Sequence, residues 1–205
     1  MTELIERLKE RARDPKRATD ESPVKGKTRV PAPATEEQIA AAEAKLGFAL
    51  PALLRQIYRE VGNGGVGPGY GLLGVPISED DPKDSLVGQY LSLKAANTKP
   101  AWPKGLIPIC DWGADIASYL DTTTPDVAVI RLDTNMPKAD AAVRVPEPNR
   151  YPRAGEIKAA CWIENTSFAQ WLEAWVNGRR LFYEAYGGTD DEIDLYADEE
   201  DEEEE

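Results

Sequence analysis

The stretch from Thr35 to Gly74 constrains the fold most, because its local signals all agree. Thr35 is a good helix N-cap whose hydroxyl can accept an orphan backbone N–H, and Gln38, three residues on, completes a capping box. Ile39, Ala42 and Leu46 then recur at helical spacing, and Gly47 stands where a left-handed C-terminal cap belongs. Leu50-Pro51 restarts a helix, since proline is tolerated at the first helical position. Leu53, Leu54, Ile57, Tyr58 and Val61 make one apolar stripe, which Gly62-Asn63-Gly64-Gly65 ends. The spacing predicts two consecutive helices that run into a glycine-rich bend.

Gly62, Gly64 and Gly67 also satisfy the G-x-G-x-x-G spacing of dinucleotide-binding loops. Such a loop must follow a strand and open a helix, because the pyrophosphate rests on that helix's N-terminus. Here the glycines follow a helix and lead toward a strand, and no full G-x-x-x-x-G-K-[ST] phosphate loop is present. They are read as a helix exit needing positive φ angles, and no cofactor is expected.

The chain has 205 residues, 24 basic and 37 acidic, for a formal net charge of −13. Thirteen of the acids lie between Glu184 and Glu205, a stretch without a basic residue, so the rest of the chain is neutral. That distribution argues against nucleic acid or an anionic membrane as partner, since phosphate binding needs clustered Lys and Arg. There is no histidine, which removes the commonest general base, the commonest zinc ligand and the His-activated nucleophiles. A non-catalytic protein is the expectation. Cys110 and Cys161 have no metal or disulfide spacing and are read as buried, reduced thiols. No run of about 18 apolar residues and no signal-peptide core occur, so a soluble cytoplasmic protein is expected.

Residues 1–32 carry a short amphipathic stretch, Leu4-Ile5 and Leu8, and then four prolines and glycines, Pro15, Pro23, Gly26 and Pro31, among basic residues. They read as a flexible basic arm. Residues 33–186 read as one domain, and 187–205 as a disordered acidic tail ending in eight consecutive acids. Within the domain, strands are expected over Tyr70–Ile77, Leu106–Cys110, Ile116–Asp121 and Val127–Leu132, with a weak edge strand at Ala141–Val145. A helix is expected over Asp84–Ala96, another from Ser167 to Asn177 and a short one over Arg179–Tyr186. Strands joined by short polar turns imply hairpins. The class is α+β: an N-terminal helical pair on a mostly antiparallel sheet, with an inserted helix and a C-terminal helix.

Two acidic groups are the candidate partner-binding residues: Glu79, Asp80 and Asp81 in a loop, and Asp111, Trp112 and Asp115 around a turn. The spacing of Asp111, Asp115 and Asp121 matches no EF-hand, so no metal site is assigned. Trp112, rimmed by acid, is either an aromatic anchor for a basic partner or a core residue. Trp162, Phe168, Trp171 and Trp175 read as core, with Trp171 one position off the stripe and so at its boundary.

With these residues in view the chain resembles the SUKH superfamily, which includes yeast cell-wall-assembly regulators and many bacterial immunity proteins. The resemblance rests on Thr35-Glu36-Glu37-Gln38-Ile39, Glu43, Leu46-Gly47, Leu50-Pro51, Tyr58 and Asn63-Gly64-Gly65. It continues in Ile107-Pro108-Ile109-Cys110-Asp111-Trp112-Gly113, Tyr119-Leu120-Asp121 and Ser167-Phe168-Ala169-Gln170-Trp171-Leu172. It spans about residues 33–178 and leaves out both ends. It implies a single α+β domain that binds proteins without catalysis. Bacterial members bind and neutralise a cognate toxin, many of these being nucleases, so the resemblance implies an immunity protein, and the carboxylates at Glu79 to Asp81 and around Trp112 are expected to face a basic surface of the toxin. The alternative it implies is a regulatory scaffold or adaptor with no toxin partner.

Overall fold

The helical pair expected after Thr35 lies where its capping box, Gly47 and Pro51 place it. The computed structural model describes residues 2–20, 30–76, 85–96, 101–136 and 160–187. Helix α1 spans Thr2–Arg13, α2 Glu36–Leu46 and α3 Ala52–Glu60. Thr35 Oγ1 accepts the Gln38 N–H at 3.2 Å while Gln38 Oε1 accepts the Thr35 N–H at 2.8 Å, closing the capping box. Gly47 ends α2 at φ 77°, a left-handed conformation in which a Cβ would be strained. Glu43 then ties the pair together. Its Oε1 accepts the Leu50 N–H at 2.8 Å and its Oε2 accepts from Arg55 Nη1 at 2.6 Å. Arg55 also pairs with Glu36.

The glycine-rich bend folds back on itself instead of forming the strand expected over Tyr70–Ile77. Leu72 makes one isolated bridge, to Cys110. Its backbone is otherwise engaged within the bend, where its C=O accepts the Gly65 N–H at 2.8 Å and its N–H donates to Val66 at 3.1 Å. The buried Asn63 acts as a surrogate strand for Val75, donating from Nδ2 to the Val75 C=O at 2.9 Å and accepting its N–H on Oδ1 at 2.8 Å. Gly64 permits this closeness. Its φ is 81°, and a Cβ there would stand 2.5 Å from the Leu72 oxygen and 2.6 Å from the Gly74 nitrogen.

Helix α4 (Leu86–Ala95) is capped by Ser85, whose Oγ accepts the Gly88 N–H at 3.1 Å. Four strands follow: β1 (Leu106–Gly113), β2 (Ile116–Asp121), β3 (Ala128–Asp133) and β4 (Ala160–Asn165). They pair in the order β1-β2-β3-β4, every pair antiparallel. Helix α5 (Phe168–Val176) and the single turn α6 (Leu181–Glu184) complete the fold. Six helices and a four-stranded antiparallel sheet among the described residues make the α+β class the sequence predicts. β4 is the strand the sequence reading did not expect. The edge strand expected at Ala141–Val145, the loop Glu79–Asp81 and the acidic tail lie outside the described residues.

Ile107, Ile109, Leu120 and Val129 present one face of the sheet to a core shared with helices α1 to α5. The other face carries Leu106, Tyr119, Ile130, Leu132 and Cys161, against which Leu93 and Trp102 pack. Both cysteines are free and buried. None of the described helices is long and apolar enough to cross a membrane.

The flexible arm expected over residues 1–32 is, over its described part, packed structure. Leu4, Ile5 and Leu8 are at most 3% exposed, in an α1 that lies against α3 and α5. Burying three large aliphatic side chains is worth about 1.5–3 kcal/mol each, enough to order a short helix on a ready surface. Its polar face is anchored too: Arg7 Nη2 donates to Asn177 Oδ1 at 2.6 Å and Lys9 Nζ reaches Glu60 at 3.0 Å. Trp171, expected at the core boundary, is 1% exposed because α5 is covered by α1 as well as by β3 and β4.

Candidate protein-binding site

Strand β1 decides which of its residues face outward. Pro108 opposes Tyr119 but Cys110 opposes Ser118, so Ile109 is an extra residue, a β-bulge. Alternation along a strand has period two, so one extra residue reverses the parity of everything after it. Ile107 and Ile109 face the core before the bulge; Cys110 and Trp112 face it after, and Asp111 is turned out. The Asp111 carboxylate is exposed and accepts the Gly113 N–H at 2.8 Å.

The turn that follows is tight. Gly113 pairs with Ile116, leaving Ala114 and Asp115 as a two-residue loop, both at positive φ (48° and 60°). This handedness matches the twist of the flanking strands, yet costs a non-glycine residue about 1–2 kcal/mol. The loop is pinned to the end of β3. Asn135 Nδ2 donates to the Ala114 carbonyl, and Thr134 Oγ1 donates to the Asp115 carbonyl at 3.1 Å. Asp115 is exposed. Beside the tip, the Tyr70 N–H donates to the Asp111 carbonyl at 3.1 Å, and a methyl group on Gly113 would meet Tyr70 Oη at 3.1 Å. Tyr70 is one of three exposed large hydrophobic residues among those described.

Asp111 and Asp115 are therefore brought together on one exposed hairpin. Trp112 between them is 8% exposed and belongs to the core, so the aromatic residue available at this surface is Tyr70. Asp121 is buried at the far end of β2, roughly 16 Å along the strand from the tip at about 3.3 Å per residue. No group of three or more His, Cys, Asp or Glu side chains that could hold a metal ion occurs among the described residues.

Trp112 is fixed from beneath by a buried polar network that sequence reasoning missed. Its Nε1 donates to Ser118 Oγ at 2.8 Å, and Ser118 Oγ donates to Glu164 Oε2 at 2.9 Å. Arg131 donates to Glu164 twice, from Nε at 3.0 Å and from Nη2 at 2.7 Å, and Trp171 Nε1 donates to Glu164 Oε1 at 2.8 Å. The Arg131 side chain is fully buried, with its guanidinium carbon 4.1 Å from the centroid of the Trp112 ring. Its Nη1 has no acceptor among the described residues. A single clue was legible: a lone arginine inside the apolar run Ala128-Val129-Ile130-Arg131-Leu132.

A cleft of about 510 Å³, lined in part by Trp112, opens between α1 and the segment joining α5 to α6. Trp112, Trp175, Phe182 and Tyr183 are its aromatic lining, and Arg11, Arg179 and Arg180 its cations. Asp20 is the one acid in the lining. Its Oδ1 accepts Trp175 Nε1 at 2.7 Å and its Oδ2 accepts the Gly69 N–H at 3.0 Å. Desolvation of this carboxylate pushes its pKa above the usual carboxylate value, against the pull of both hydrogen bonds and of Arg11. The Arg11 guanidinium carbon lies 4.3 Å from the Trp175 ring centroid, and burial together with the nearby Arg17 lowers its pKa. Cys110 is not a nucleophile in this setting. Full burial raises its thiol pKa well above the ordinary value, and its Sγ donates to the Pro68 carbonyl at 3.0 Å.

Compared with known families, residues 33–141, just over half of the chain, match the sequence profile of the SMI1 / KNR4 family (SUKH-1). No curated protein matches the chain.

Proposed function

The chain belongs to the SMI1 / KNR4 family (SUKH-1), and we propose that it is a protein-binding domain of the immunity type, which neutralises a cognate toxin by covering its active surface. The observation that carries this reading is the hairpin tip. Tyr70, Asp111 and Asp115 form an exposed acidic and aromatic patch on a backbone held in a strained turn and backed by an immobile Trp112. A rigid patch loses little conformational entropy on binding, and its charge suits a basic partner such as a nuclease surface.

The test is co-expression of the chain with the product of the adjacent open reading frame in its native genome, read as toxicity relief and co-purification. Asp111→Lys and Asp115→Lys should slow association most strongly at low salt, while Tyr70→Ala should speed dissociation, an anchor being worth about 2 kcal/mol or more. A chain that neither binds nor protects against an adjacent toxin-like protein points to the adaptor alternative. A chain that protects equally well with all three substitutions places the interface elsewhere.

A further inference from the structure

The arginine-lined cleft is left unused by the hairpin interface. Its positive charge is crowded and incompletely compensated. Arg179 is paired with Glu184 at 2.6 Å, but Arg180 is exposed and has no ionic partner among the described residues. Arg11 donates to two backbone carbonyls, each at 3.4 Å, and feels the Asp20 carboxylate, but its Nε has no acceptor among the described residues. Arg7 and Arg17 lie close enough to disfavour its charge. Below these cations the lining is aromatic, and Tyr183 is half exposed at 51%. Such a surface suits a peptide that carries carboxylates and apolar side chains together.

The chain holds such a peptide a few residues further on. Beyond Gly187 it continues through Asp190-Asp191-Glu192-Ile193-Asp194-Leu195-Tyr196, four acids interleaved with three large apolar residues. The following run, Asp198–Glu205, is entirely acidic and offers an aromatic lining nothing to cover. From Tyr183, itself in the cleft, to Ile193 is ten residues, which span at most about 33–36 Å when extended. The cleft is within reach. We propose that the cleft is the docking site of the chain's own segment Asp190–Tyr196, with Arg11 and Arg180 taking its carboxylates and the aromatic lining taking its apolar side chains. Little intrinsic affinity is needed, because a short tether supplies an effective concentration on the order of millimolar. This docking is independent of the toxin reading, since it involves neither Asp111 nor Asp115.

The experiment uses the full chain carrying Ala197→Cys, labelled with a nitroxide; the native thiols, Cys110 and Cys161, are buried and do not compete for the label. Amide NMR intensities are then compared among the otherwise unaltered chain, Arg180→Glu, and a tail variant with Asp190→Asn, Asp191→Asn, Glu192→Gln and Asp194→Asn. The expected result is a selective loss of signal at Gly178, Arg180 and Tyr183, which recovers in both variants. It should also recover when salt rises from about 0.01 M to about 1 M, shortening the Debye length from about 30 Å to about 3 Å. Proximity along the chain cannot imitate this, because the neutralised tail has the same length. Loss that persists in either variant overturns the proposal, as does no selective loss. Loss that grows with protein concentration also overturns it, and assigns the cleft to the tail of a second copy.

Discussion

Replacing Glu164 by leucine removes a carboxylate that accepts four hydrogen bonds, two from Arg131 and one each from Ser118 and Trp171. The guanidinium it leaves behind has no solvent exposure. Breaking a buried pair from one side costs about 3–5 kcal/mol, because the remaining charge is desolvated and uncompensated. Arg131→Met should cost a similar amount by stranding the carboxylate. The double variant, Arg131→Met with Glu164→Leu, strands no charge. What it leaves is the Trp171 N–H without an acceptor and a Ser118 hydroxyl free to rotate, a penalty of about 1–3 kcal/mol. The double variant is thus expected to be more stable than either single one, a coupling of several kcal/mol. Urea unfolding followed by fluorescence and circular dichroism measures it, given a common m-value for all four proteins. In melting temperature each single substitution should lower the midpoint by roughly 6–20 °C, at about 2–4 °C per kcal/mol for a domain of this size. A double variant as unstable as the sum of the singles would refute the reasoning, since it would mean that the ion pair contributes no coupling at all.

Asn63→Ala deprives both backbone groups of Val75 of their buried partners, and should lower stability by about 2–5 kcal/mol in the same unfolding assay. Ala114→Asn puts a residue tolerant of left-handed backbone at the first turn position, and should stabilise by about 0.5–1 kcal/mol; unchanged or lower stability would mean that the turn is not strained. For Asp20 the sign follows from its raised folded-state pKa. Its contribution to stability is present below the unfolded pKa and is lost as pH rises through the folded one. The wild type should therefore gain stability relative to Asp20→Asn as pH falls from 7 through the carboxylate range. The opposite trend would show that the bonds from Trp175 and Gly69 outweigh desolvation.

The helices were legible where local chemistry suffices. Thr35 with Gln38, Ser85 and Ser167 cap α2, α4 and α5 through bonds to residues only three positions away, so sequence spacing carries the information. The bend and the sheet were less so. Leu72 and Val75 looked like strand residues, but their backbone groups are claimed by Val66, Gly65 and Asn63, a folding-back no periodicity reveals. Trp112 and Asp111 had ambiguous directions because β1 breaks register with β2 twice, at Ile109 and again at Trp112, and the first break reverses the alternation that would have assigned them. Strand β4 and the packing of α1 depend on partners far along the chain, and their own residues carry only weak signals. Of the candidate binding residues, the sequence located Asp111 and Asp115; Tyr70 joined them only once the bend was seen to lie against β1.

The seam where α1 meets α5 joins the two ends of the domain: Arg7 bonds to Asn177 and Asp20 to Trp175, separations of 170 and 155 residues. Synthesis at 5–20 residues per second takes about 8–32 s to pass from Leu8 to Phe168, where α5 begins. Throughout that interval the apolar stripe of Leu4, Ile5 and Leu8 has been made but the α5 it packs against has not. Helix α1 is thus made long before it can find its place, and the nascent chain offers that stripe to chaperones, or to other chains, until α5 emerges.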